Sequence, residues 1–248
     1  RYADQPEKSL AIARNMIAAK IANCRQVCLR SIRDHGDKNP EHAARLNQAS
    51  EQLAHRIRFI DKVENLESLR GVEGDAATFY FGNFSSLFTN ANLAFDHRNR
   101  RPPTDPVNAL LSFFYSLLMH DCRSALESCG LDSQCGFLHR DRPGRPSLAL
   151  DLMEEFRPYL ADRAALTLIN RQQIQKKHFE FKENGAVYLR EDARKIVLTH
   201  WQERKQTEIV HPLLEEKTTI GLLPHLQARL LARYLRGDLD AYPAFLAK

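Results

Sequence analysis

Three short stretches of this sequence bring together side chains able to hold a divalent cation. The first, Leu69-Arg70-Gly71-Val72-Glu73-Gly74, sets a carboxylate between two glycines inside a segment of helical pattern. A glycine costs a helix about 1 kcal/mol relative to alanine, so the pair asks for a reason. Close approach by another helix or by a ligand would supply one; a solvated glutamate beside a tight helix crossing is the competing reading. The second stretch, Gly136-Phe137-Leu138-His139-Arg140, puts an imidazole just beyond an apolar pair, at the rim of the core. A hydrogen-bonded structural histidine is the alternative there. The third, Asp151-Leu152-Met153-Glu154-Glu155, carries Asp151 and Glu154 at i and i+3, on one helix face. Two carboxylates so placed repel unless a cation lies between them or water solvates both.

Glu73, His139 and Glu154, with Asp151 in reserve, form an oxygen-rich donor set with one imidazole, which suits Mg2+ or Mn2+ better than a soft metal. Two arginine-rich loops adjoin these stretches, with Arg98, Arg100 and Arg101 in residues 96–104 and Arg140, Arg142 and Arg145 in residues 131–146. Guanidinium groups match phosphate geometry. Carboxylates for a cation beside arginines for phosphates is the arrangement that phosphodiester chemistry requires. A zinc site from Cys122, Cys129, Cys135 and His139 is disfavoured, because the spacing lacks a Cys-x2–4-Cys knuckle and Cys122 belongs inside an apolar helix. Cys24 and Cys28, one turn apart, read as core.

The elements that must position these groups read as overwhelmingly helical, giving a mainly α, multi-helix domain over residues 1–248 with one β-hairpin at 177–190. Asp4 and Pro6 open a helix that Gly36 ends, and Asn39 with Pro40 opens a second. A third segment runs from about Asn65 into Phe84. Asp105 and Pro106 start the most apolar helix, which ends near Gly130 and should lie at the centre of the domain. Ser147 is read as capping a helix through Glu155, broken or restarted at Pro158. The hairpin pairs residues 178–182 with 186–189 around Glu183-Asn184-Gly185, and helices follow at about 193–205 and 219–236, the last closed by Gly237.

Composition bounds the rest. The 43% hydrophobic and 27% charged content fits a soluble globular protein and excludes wholesale disorder, and the net charge of +5 permits a polyanionic partner without demanding one. Five cysteines without a signal peptide point to reduced thiols in the cytoplasm, and no apolar run is long enough to span a bilayer. Arg1 in place of Met, followed by a linker-like stretch to Pro6, leads to the expectation that the chain begins within a longer protein.

Taken in order, the motifs resemble a known family, the CRISPR-associated integrase-endonuclease that acquires spacers. The resemblance rests on Leu69-Arg70-Gly71-Val72-Glu73-Gly74, on residues 101–111 (RPPTDPVNALL), on Gly130-Leu131-Asp132, on Gly136-Phe137-Leu138-His139 and on residues 148–158 (LALDLMEEFRP). Ala19-Lys20-Ile21-Ala22-Asn23 and Arg236-Gly237-Asp238 extend it over nearly the whole chain. It implies that Glu73, His139 and Glu154 ligate Mg2+ or Mn2+, with Asp151 beside them. It also places Tyr115 near the site (a core aromatic with a satisfied hydroxyl being the equal alternative), and gives Lys20 and Asn23 supporting hydrogen bonds. The implied reaction is attack of a 3′-hydroxyl of captured DNA on a phosphodiester of the CRISPR repeat. The implied partners are prespacer and leader-repeat DNA, a second copy of the chain, a small ferredoxin-like CRISPR-associated subunit and, for the type I-C-like branch, a RecB-like exonuclease. A β-rich domain precedes the helical one in the family. The sequence departs from the family at Ser133-Gln134-Cys135. A stand-alone structure-selective nuclease and a non-catalytic helical DNA-binding scaffold are the competing functions.

Overall fold

The computed structural model describes residues 3–89 and 93–247; Arg1 and Tyr2, which begin the linker-like stretch, lie outside the described residues. Helix α1 (Pro6–His35) starts with proline at its first turn, where the missing N–H is no loss, and ends at Gly36, whose N–H bonds back to the Ile32 carbonyl. Helix α2 (Pro40–Ile60) is capped by the Asn39 side chain, which accepts from the His42 N–H at 3.2 Å. The two pack along their lengths, burying Ile17, Ile21, Cys24 and Cys28 of α1 with Leu46 and Leu53 of α2. Asn65 caps α3 (Leu66–Gly82) in the same way, accepting from Ser68 at 2.9 Å.

Helix α4 (Pro106–Ser128) is the centre of the domain, as its all-round apolarity predicts. Asp105 caps it, and Leu110, Leu111, Phe114, Leu118, Cys122 and Leu126 are buried. Around it lie α5 (Ser147–Glu154), a wide π-helical turn (Arg157–Asp162), α6 (Arg163–Asn170) and α8 (Leu223–Arg236). Helix α7 (Glu191–Lys205) reaches α4 through the Trp201 indole, which donates to Asp121 at 3.0 Å. The expected hairpin is present as β1 (Phe179–Phe181) and β2 (Val187–Leu189), with Phe179 opposite Leu189 and Gly185 at φ +80 in the turn.

Three expectations are corrected. A second hairpin, β3 (Glu208–Val210) with β4 (Lys217–Thr219), occupies a stretch read only as a connection, because three-residue strands are too short to show a period. Ser147 does not cap α5: it is the first helical residue, and its hydroxyl donates to the Arg140 carbonyl at 3.2 Å. Gly71 and Gly74 make no close helix crossing, since a methyl group at either would meet nothing within 4 Å. Among the described residues no helix is long and apolar enough to cross a membrane.

Candidate active site

Glu73 on α3, His139 at the end of the apolar pair and Glu154 at the end of α5 all line one cleft of about 840 Å3. Lys20 of α1 closes its floor. It falls among Ile17, Ile21 and Cys24 on the buried face of that helix, so its ammonium needs a buried counter-charge. It has two: Glu73 Oε1, and Glu154 Oε2 at 2.6 Å. Glu154, only 4% exposed, is also gripped by Arg157 Nη1 at 2.8 and 3.0 Å. Burial pushes the Glu154 carboxyl up, but Arg157, Lys20 and His139 together outweigh it and hold the group below the ordinary carboxylate range. For Lys20, burial lowers the pKa and the two glutamates more than restore it, so the ammonium keeps its proton.

Asp151 stands behind the cleft. Its two oxygens, 1% exposed, accept four donors: Oδ2 takes the N–H groups of Phe137 (2.6 Å) and Leu138 (2.9 Å), and Oδ1 takes the His139 N–H (3.0 Å) and Nδ1 (2.5 Å). One carboxylate therefore folds the 137–139 turn and orients its imidazole. With Nδ1 donating to Asp151, Nε2 keeps its lone pair, the arrangement that outer carboxylates impose on metal-binding histidines. The expected same-face repulsion between Asp151 and Glu154 is thus relieved separately for each. Neither is the solvated acid that the competing reading required.

Tyr115 is buried at the back of the site. Its hydroxyl donates to Asp162 Oδ1 at 2.6 Å, and the guanidiniums of Arg157 and Arg98 lie 4.1 and 5.1 Å from its ring centre. Burial raises Asp162 to about 6. Arg98 lines the cleft but is anchored by Asn108 Oδ1 (2.6 Å) and Ser112 Oγ (3.1 Å). Arg100, Arg140, Arg142 and Arg145 line the cleft mouth, whereas Arg101 does not line it. Gly74 also lines the cleft, with open space where a side chain would stand.

Sequence reasoning gave no role to Arg157 or Arg70. Arg70 ties α3 to the histidine turn, donating from Nε to the Leu138 carbonyl at 3.2 Å. The signal for Arg157 was its place three residues after Glu154, between Phe156 and Pro158, where a charge is buried unless paired. Asn23, as expected, is a supporting residue: its amide donates to the carbonyls of Glu155 (2.7 Å) and Phe245 (2.9 Å).

The donor set suits a hard divalent cation. Among the described residues Glu73, His139 and Glu154 are not drawn into a ligand-ready cluster; the ammonium of Lys20 stands between the two carboxylates instead, a monovalent cation in that position. Two carboxylates that already share a cation, beside an imidazole whose outer nitrogen is fixed, are chemically fit for Mg2+ or Mn2+. The cysteines offer no competing centre, Cys122 being buried within α4.

Residues 1–203 match the family described as CRISPR associated protein Cas1. The chain belongs to the Cas1 family. A CRISPR-associated endonuclease Cas1 of Rhodospirillum rubrum is 55% identical over 241 residues, covering 96% of this chain and 70% of that protein. A CRISPR-associated exonuclease Cas4/endonuclease Cas1 fusion of Geobacter sulfurreducens is 41% identical, covering 98% of this chain and 44% of the fusion. Among solved structures, a casposase bound to integration product aligns over the whole chain and 70% of its own, with a TM-score of 0.83 at 24% identity, which establishes a shared fold. A Cas6-RT-Cas1–Cas2 complex aligns over 99% of this chain and 26% of its own, with a TM-score of 0.83 at 26% identity. Cas1 proteins thus occur in complex with Cas2 and fused to Cas4. This Cas1-family chain is an endonuclease-type enzyme, in keeping with the names of its relatives.

Proposed function

We propose that the cleft is the active site of a DNA integrase-endonuclease of CRISPR adaptation, in which Glu73, His139 and Glu154 hold Mg2+ or Mn2+. The observation that carries this reading is the pair Glu73 and Glu154 sharing one cation beneath a mouth lined by Arg100, Arg140, Arg142 and Arg145. A cation held there supplies Lewis-acid stabilisation of charge on a phosphoryl oxygen. The chain's own residues do the rest. Asp151 fixes the tautomer of His139, and Lys20 and Arg157 keep Glu154 ionised. The mouth arginines position backbone phosphates without reading bases.

The reaction is an exchange of phosphodiesters. The 3′-hydroxyl oxygen of a captured fragment bonds to phosphorus of the CRISPR repeat, the bond from that phosphorus to its former 3′-oxygen breaks, and the released oxygen takes up a proton. With water in place of the 3′-hydroxyl the same site nicks DNA. Prespacer and leader-repeat DNA are the substrates; a second copy of the chain, a small ferredoxin-like Cas2-type subunit and a Cas4-type RecB-like exonuclease are the partners. Bringing two such sites to the two ends of a repeat requires a symmetric assembly. The test is a gel assay of joined and nicked products from a half-site substrate with Mn2+. Wild type joins strands, and Glu154→Gln, which keeps the shape but not the charge, does not. Undiminished joining by Glu154→Gln overturns the reading.

A further inference from the structure

Beyond the π-helical turn lies a second cavity, about 710 Å3, that shares no lining residue with the active-site cleft. Arg30 of α1, Arg163 of α6, Arg171 just past its end, and His200 and Arg204 of α7 line it. Its acidic lining residues are Asp34 and Glu203, and Asp34 is already engaged by Arg30 at 3.4 Å and Arg33 at 3.1 Å. Among the described residues no carboxylate stands within ion-pairing distance of Arg163, Arg171 or Arg204. Arg157, a few residues away, differs: its guanidinium grips the Glu154 carboxylate.

The cavity is also built. Tyr159 sits between two of the arginines, its ring 5.2 Å from the Arg163 guanidinium and 5.8 Å from that of Arg204. Its carbonyl accepts from Arg204 Nη2 at 2.6 Å. This fixes both forks in place, while Arg204 Nε and His200 Nε2 are buried with no partner among the described residues. Burial first, then the charge of Arg163 and Arg30, lowers Arg204 to about 10; burial and Arg30 also lower Arg163, against the smaller opposing pull of Tyr159 and Asp34. Guanidiniums held without an ion-paired carboxylate around a hollow are a receptor for an oxyanion that can take two parallel N–H donors.

We infer that this cavity is a second phosphate-binding site, which takes a backbone phosphate of the DNA whose reacting bond lies in the active-site cleft. The inference rests on the proposed function for the identity of the polyanion, and for the site on Arg163, Arg171 and Arg204, which lack an ion-paired carboxylate among the described residues. It gives the domain two anchorage points on one nucleic acid, on either side of the turn at 157–162. The second point holds DNA that lies away from the reacting phosphate.

The probe is a fluorescent DNA duplex long enough to pass beyond the cleft, titrated over a salt series. For Arg163→Gln/Arg171→Gln the slope of log K against log salt should fall by about 0.9 for each phosphate that the protein ceases to neutralise. Arg163→Lys/Arg171→Lys, which keeps the charge, should restore it. Nicking of a short substrate that fills only the cleft should be unchanged. If the double variant melts below wild type, Arg171→Gln alone, at an exposed position, gives the same reading, with the slope lowered by about 0.9. An unchanged slope overturns the inference, including the case in which the cavity takes an acidic segment of a protein partner. Failure of the active-site reading shows separately, as joining retained in Glu154→Gln, and does not alter these slopes.

Discussion

Replacing Asp151 by asparagine preserves the size of the side chain and removes one acceptor, so it isolates the carboxylate's work on the 137–139 turn. The amide has two orientations. If its nitrogen replaces Oδ2, the N–H groups of Phe137 and Leu138 both lose their acceptor, at about 1–3 kcal/mol for each buried donor left unpaired. If it replaces Oδ1, the His139 N–H alone loses its acceptor, again about 1–3 kcal/mol, but Nδ1 must now accept from the amide. The proton then moves to Nε2, and the nitrogen available to a cation is lost. The less costly orientation is therefore the one that disarms the histidine. For a chain of this size 1 kcal/mol moves Tm by roughly 2–4 °C, so Tm should fall by several degrees. Mn2+ should stabilise wild type, and that added stabilisation should shrink with the weakened affinity of the variant. Thermal melts with and without Mn2+, with calorimetric titration of the metal, measure both. An Asp151→Asn protein with wild-type Tm and an undiminished Mn2+ response would refute this account, and would return Asp151 to the minor role that spacing alone suggested.

Other outcomes follow from the same geometry. Glu154→Ala should lose both joining activity and several degrees of Tm, because Lys20 and Arg157 are left buried without their shared carboxylate; Glu73→Ala, whose side chain is 28% exposed, should lose activity with a smaller fall in Tm. His139→Ala should remove joining and nicking in Mn2+, read on the same gels. Asp162, raised to about 6 by burial, holds its proton in the folded state after the unfolded chain has released it. Stability is thus fully present below about pH 4 and lost as pH rises to about 6, by up to about 3 kcal/mol; denaturant melts of Asp162→Asn, which cannot titrate, should be flatter across that window. Neutralising Arg100, Arg140 and Arg142 together should reduce the salt slope of DNA binding by about 0.9 for every phosphate these arginines hold, whatever the base sequence.

Helices α1, α2 and α4 were legible from period and punctuation together. Asn39-Pro40 and Asp105-Pro106 pair a capping side chain with a residue that needs no amide partner, and the structure uses both as read. The carboxylates and imidazole of the site were legible as types, and they do share one cleft. Their supports were not. Four donors converging on Asp151 come from a loop whose path no periodicity encodes, so a buried anchor resembled a surface acid. Lys20 carried a readable signal, a charge on the apolar face of α1, but its two partners are 53 and 134 residues further along the chain. Of the two neighbours that the glycines beside Glu73 suggest, another helix is absent, and Gly74 faces the open cleft, where a ligand would stand.

The base on which Glu154 rests is completed by residues distant in sequence. The adjacent Glu155 accepts from the Tyr242 hydroxyl at 2.7 Å and the Phe245 N–H at 2.8 Å, while Asn23 of α1 accepts from the Ala247 N–H at 2.8 Å. A chain growing from its N-terminus acquires Glu73, His139 and Glu154 long before it acquires the segment that locks the ground beneath them. The cleft can therefore reach its final form only after residues 242–247 have been synthesised and have docked, so a nascent or prematurely terminated polypeptide carries the two carboxylates and the imidazole without the foundation beneath them.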